Sequence, residues 1–98
     1  RVSFDTNGFN YPYYEDQIKR KINRNWRWVE SYGKLRALVY FRIHNNGSVS
    51  DISIKESSGN IEYDKNVLDT ICRAVPFLDF PEDYRGESVG VFFEFKYK

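Results

Sequence analysis

The clearest regularity in the chain is the alternation between Leu35 and His44. Leu35, Ala37, Val39, Phe41 and Ile43 fall on one face, and Arg36, Leu38, Tyr40, Arg42 and His44 on the other. A period of two is that of a strand resting one face on a core. Asn45-Asn46-Gly47 follows, residue types that tolerate the positive φ of a hairpin turn. The chain then returns through Val49, Ile52 and Ile54. Val49 has the opposite parity from the two isoleucines, so a bulge or an early exit from the turn is expected there.

Upstream, the period becomes helical. Tyr14, Ile18, Ile22, Trp26 and Val29 form one stripe. Pro12 suits the opening turn, where its missing N–H would have no partner anyway. Glu15 stands four residues before Lys19, and Asp16 four before Arg20, the order that favours side-chain pairing. Lys19, Arg20, Lys21, Arg24 and Arg27 make a basic outer face, and Ser31-Tyr32-Gly33 ends the helix. After the hairpin, Asp64 is the expected N-cap of a second helix with Val67, Leu68, Ile71, Cys72 and Val75 on its apolar face. Pro76 stops it. Residues 77–86 read as an irregular crossing, and residues 88–98 as a last strand. In that strand Val89, Val91, Phe93, Phe95 and Tyr97 point inward, and Gly90, Phe92, Glu94 and Lys96 outward.

The order helix, strand, strand, helix, strand predicts an α+β domain: two helices on one face of a three-stranded antiparallel sheet. Residues 1–10 show no period and read as the end of a leader or linker; residues 11–98 read as the domain. Ninety-eight residues support one modest core. Eight tyrosines, eight phenylalanines and two tryptophans must supply much of its bulk. The chain opens at Arg1 with neither a methionine nor a signal pattern, which reads as a piece of a longer protein. No apolar run approaches the ~20 residues of a membrane span.

Charge and candidate chemistry narrow the function. A net charge of +1 selects no partner class. The single cysteine excludes an internal disulfide. His44 is the only histidine, so a protein zinc site lacks ligands, and a solvated turn residue is the plainer reading. Cys72, on the apolar stripe, reads as a buried inert thiol. Ser57 and Ser58 have no paired base and read as turn residues. No glycine-rich phosphate loop is present. Catalytic, metal and cofactor sites are therefore not expected, and the chain reads as a non-enzyme.

Two surfaces remain. The basic helix face, with Trp28 or Tyr32 for stacking, supports a nucleic-acid-binding alternative, against the plainer reading of a solvated helix face. The last strand is terminal, aromatic and rich in residues of high β propensity. If it is a sheet edge, its unpaired backbone accepts an extended peptide, or a second copy of the chain in a dimer. Five or six backbone bonds at a net ~1 kcal/mol each, with side-chain contacts, reach roughly micromolar affinity. Alternatively Glu94, Lys96 and Lys98 guard an edge that stays unpaired.

The ordered set of segments resembles the C-terminal domain of the TonB/TolA family. Val39-Tyr40-Phe41-Arg42-Ile43 leading into Asn46-Gly47-Ser48-Val49 is similar to the family's strand and turn. Residues 51–60, with their Ser57-Ser58-Gly59-Asn60 ending, resemble its second strand. Tyr63-Asp64, Val67-Leu68, Ile71 and Ala74 fit its helix, Pro76-Phe77 and Phe80-Pro81 its exit, and Val91-Phe92-Phe93-Glu94-Phe95 its terminal strand. Tyr14, Ile18, Lys21, Ile22, Asn25 and Trp26 are similar to the leading helix of the TolA-like and second TonB-type branch, and Tyr11-Pro12 to the Tyr-Pro of TonB proper. The resemblance implies a periplasmic energy-transducer domain, anchored to the inner membrane and its proton-driven motor through a segment upstream. Its partner would be the N-terminal segment of an outer-membrane transporter or, in a TolA-like alternative, a component of the Tol–Pal envelope system. The implied peptide-binding residues are Val89, Gly90, Val91, Phe92, Phe93, Glu94, Phe95 and Lys96, flanked by Tyr11 and Pro12.

Overall fold

A computed structural model describes residues 1–6, 8–28 and 33–97. Six elements follow in chain order: β1 (Val2–Phe4), α1 (Pro12–Asn25), β2 (Leu35–His44), β3 (Val49–Glu56), α2 (Ile61–Ala74) and β4 (Ser88–Tyr97). The strands form one antiparallel sheet in the order β1-β4-β2-β3. The architecture is α+β, with four strands where the periodicity suggests three.

The alternation of β2 and β4 is used in register. Ala37, Val39, Phe41 and Ile43 stand opposite Phe95, Phe93, Val91 and Val89, and all eight are buried. Tyr14, Ile18 and Ile22 of α1 and Tyr63, Val67, Ile71 and Ala74 of α2 close over this face in one cluster. Each helix thus presents one stripe at a spacing of three to four residues, which the sheet needs for a two-layer core. Trp26, just past α1, sets its ring edge-on to Phe95 at 5.2 Å, and its indole N–H donates to Asn66 at 2.8 Å. Val29, the last member of the expected α1 stripe, and the Ser31-Tyr32 break lie outside the described residues.

The hairpin confirms the parity argument at Val49. Arg42 pairs with Ser50, but Tyr40 pairs with Ser53, so β3 carries an extra residue between them. Asp51 absorbs the bulge with φ 57°. A second shift lies between Leu38 and Val39. At the turn, Gly47 has φ 86°, and any Cβ there would overlap the Phe77 carbonyl. That close approach lets the Phe77 N–H donate to the Gly47 carbonyl at 2.9 Å, tying the hairpin tip to the crossing segment.

Three expectations are corrected. The cap of α2 is Asn60, whose side chain accepts from the Tyr63 N–H, and Asp64 lies one turn inside. Asp64 instead accepts from the Ser58 N–H and both serine hydroxyls, so Ser57 and Ser58 staple the end of β3 to the helix. Burial pushes the Asp64 carboxyl up, but these donors outweigh it and the net shift is down. Cys72 is exposed. The stripe of α2 runs through Tyr63, Val67, Thr70, Ile71 and Ala74, and one further residue turns the side chain ~100° away from it. The third correction concerns residues 1–10. Val2–Phe4 is the fourth strand, and Phe9 is buried at the centre of an aromatic cluster with Phe4, Tyr11, Tyr14, Phe80 and Tyr84.

Candidate partner-binding edge

Strand β4 has neighbours on both sides. Its pairing with β2 runs from Leu35↔Tyr97 to His44↔Ser88. On its other side β1 pairs Val2, Ser3 and Phe4 with Phe93, Phe92 and Val91. The Asp5 N–H donates to the Gly90 carbonyl at 3.0 Å, and the Glu94 N–H donates to the Arg1 carbonyl at 2.8 Å. The expected open flank is thus covered from Gly90 to Glu94, because the leader segment folds back as a strand.

These bonds settle which way each backbone group points. In an antiparallel ladder alternate residues turn both N–H and C=O to the same side. Gly90 and Glu94 bond to the β1 side, so Phe92 between them does too, and Val91 and Phe93 turn towards β2. The side chains divide by the same parity. The side chains of Val89, Val91, Phe93 and Phe95 are buried in the core. Phe92 is half-buried against Tyr40 at 5.1 Å on the open face of the sheet, and Lys96 is exposed. Glu94 pairs with Arg36, which also holds Glu56 at 2.6 Å. The Arg36 hydrogen bond holds the Glu94 carboxyl below the usual glutamate range.

Gly90 has a specific role. It is buried, and its N–H donates to the Asp5 carboxylate at 2.8 Å. A Cβ at this position would overlap that carboxylate and lie 2.7 Å from the Tyr40 hydroxyl. Arg42 closes the arrangement: its guanidinium reaches Asp5 at 3.4 Å, donates to the Tyr40 hydroxyl at 3.0 Å and to the Ser88 hydroxyl at 3.1 Å. Glycine inside a strand marks a close approach of another group. It is the one signal in the sequence that could have exposed the contact with Asp5.

Tyr11 and Pro12 sit at the start of α1, Tyr11 half-buried and Pro12 exposed. Tyr11 joins the end of β1 indirectly, through the Phe9 ring at 5.0 Å and from there Phe4 at 4.8 Å. Burial, and then the nearby Asp83 carboxylate, push the Tyr11 hydroxyl pKa up.

Strand β3, on the opposite edge, is poorly suited to accept a further strand. It carries the two register shifts, and Asp51, Lys55 and Glu56 are exposed. Bulges and charges are what blunt an edge against pairing.

Several of the other candidate residues have structural partners. His44 is half-buried and shares a hydrogen bond of 2.7 Å with the Ser50 hydroxyl. On the basic helix, Arg20 pairs with Asp16 at 2.6 Å, Lys21 donates to the Pro76 carbonyl, and Arg27 donates to the Arg24 and Trp26 carbonyls. Among the described residues no group of three or more His, Cys, Asp or Glu side chains could hold a metal ion. None of their helices is long and apolar enough to cross a membrane.

Comparison with curated proteins found no match. The chain is similar in fold to the solution structure of the Helicobacter pylori TonB C-terminal domain, residues 179–285, with a TM-score of 0.72. That match is 23% identical and covers 93% of this chain and 85% of that one. The family described as TonB C terminal matches residues 11–95, nearly the whole span from the first helix to the last strand. This chain therefore belongs to the TonB C-terminal family.

Proposed function

We propose that this domain is the gripping end of a TonB-like periplasmic energy transducer. In this reading it captures the N-terminal segment of an outer-membrane transporter as an added strand along β4. It then transmits to that segment the pull of an inner-membrane, proton-driven motor, reached through an upstream anchored segment. The domain performs no catalysis itself. Its contribution is a row of backbone donors and acceptors held rigidly by the β2 ladder and the core beneath.

One observation carries this reading. A strand running from Ser88 to Tyr97 is paired along its full length on the β2 side, but on the other side its partner strand is three residues long. The outward groups of Gly90, Phe92 and Glu94 lie on that lightly covered side. Each backbone bond to a partner adds a net ~1 kcal/mol and needs no particular side chain. Bonds aligned across the pulling direction also share a shear load.

The test is Phe92→Pro. It removes an N–H that points away from β2, so the β2–β4 ladder is retained. Loss of affinity for a synthetic transporter N-terminal peptide, with the circular dichroism spectrum unchanged, supports strand addition. Unchanged affinity refutes it. A TolA-like role in the Tol–Pal system would use the same flank with a different client, and a Tol–Pal component in the same assay distinguishes the two. Nucleic-acid binding has less support, since Arg20 and Lys21 of α1 have local partners, and dimerisation by edge pairing would use the same β4 flank as the peptide.

A further inference from the structure

We infer that β1 is an internal occupant of the partner groove: the domain holds its own Val2-Ser3-Phe4-Asp5 where an incoming strand would lie, and capture proceeds by exchange. The inference rests on the strand-addition reading for the identity of the competitor; the exchangeability of β1 stands on the geometry alone.

Three observations support it. First, β1 is short and terminal, while the strand it covers is long. Its register spans Val91 to Phe93, with single bonds beyond at Gly90 and Glu94. Strands this short, at a sheet margin, open at the low end of the local stability range. Second, its side chains fill an existing pattern. Val2 and Phe4 are partly buried against the core, whereas Ser3 is exposed. Third, one side chain acts as a latch. The Asp5 carboxylate takes the Gly90 N–H and faces the Arg42 guanidinium. That N–H faces β1 and would otherwise be unpaired in a buried position.

The arrangement also describes the segment that could replace β1. Running antiparallel to β4, it would place apolar side chains where Val2 and Phe4 stand, tolerate a polar one at Ser3, and supply an acceptor, best a carboxylate, where Asp5 meets Gly90 and Arg42. A longer competitor could extend to Ser88 and Lys96, whose backbone groups share the outward parity of Gly90, Phe92 and Glu94.

The experiment uses the full chain, labelled with nitrogen-15. Amide exchange is measured at Phe92 and Glu94, which face β1, and at Phe93 and Phe95, which face β2. Affinity for the synthetic transporter N-terminal peptide is then compared between the wild type and Ser3→Pro, with Asp5→Ala as a second variant should the proline perturb folding. Exchange at Phe92 and Glu94 at least tenfold faster than at their neighbours, and affinity rising about tenfold in the variants, support exchange of β1. Uniform protection, or equal affinity in all three proteins, overturns it. If no protein binds the peptide but exchange still alternates, the inference about β1 survives and strand addition by a transporter fails. A concentration-dependent dimer in which β1 is swapped between copies overturns the intramolecular arrangement.

Discussion

Gly90→Ala should loosen β1 while leaving the rest of the domain in place. An added methyl at Gly90 overlaps the Asp5 carboxylate and crowds the Tyr40 hydroxyl. Asp5 is a side chain and can swing away, so the strand backbone need not move, but the bond from the Gly90 N–H and the approach to Arg42 are both lost. A hydrogen bond to a charged group contributes about 1.5–3 kcal/mol. The partly exposed ion pair adds at most about 1 kcal/mol. Replacing a strand glycine by alanine returns about 0.5–1 kcal/mol through the unfolded chain. The net loss is therefore about 0.5–3.5 kcal/mol. The sharper assay is a double-mutant cycle by urea denaturation. In an Asp5→Ala background the carboxylate is already gone, so Gly90→Ala should cost little, and the two substitutions should couple by about 1.5–3 kcal/mol. Additive effects would refute the idea that Gly90 is glycine to admit Asp5, leaving the Tyr40 contact as the cause.

The remaining predictions concern the core, the staple and the thiol. Phe9→Ala removes a ring only 5% exposed and should cost about 3–5 kcal/mol in urea denaturation; a loss below about 1 kcal/mol would mean that residues 1–10 are peripheral. The Asp64 and Glu94 carboxyls lie lower in the folded than in the unfolded state, so their stabilisation is complete above the ordinary carboxylate range near ~4 and fades as pH falls below it. Asp64→Asn should flatten the denaturation midpoint against pH in that acid window and change it little in shape above; an unchanged acid limb contradicts the staple. Cys72 should react with a thiol reagent in the native state at a rate near that of a free thiol, whereas labelling that waits for unfolding would return it to the core.

How much of this was legible in the sequence differs by element. The strand at Leu35–His44 reads directly because ten alternating residues leave no rival period, and the odd parity of Val49 marks the bulge that Asp51 absorbs. The second helix reads as a helix, but its ends and its stripe are less sharply drawn. Asn60 and Asp64 both suit a cap, and only the network around Ser57 and Ser58 separates them. Cys72 resembles a core residue by type, yet Thr70 takes the buried place because its hydroxyl can donate to the Asn66 carbonyl one turn back at 2.8 Å. Strand β1 is hidden for a more general reason. Three residues are too few to show a period, and its partner lies at the other end of the chain. The parity of the last strand, and hence which backbone groups face outward, follows from local alternation. Whether another segment covers them is a long-range fact, marked only by the glycine at position 90.

Whether β4 takes a partner's backbone on the flank now held by β1 is decided by locating a transporter N-terminal peptide on the labelled full chain by intermolecular nuclear Overhauser effects. Contacts are expected from peptide backbone protons to the amides of Phe92 and Glu94, with Val2–Phe4 released from the sheet. Contacts confined to β3 or α1, with β1 still paired to β4, would contradict it.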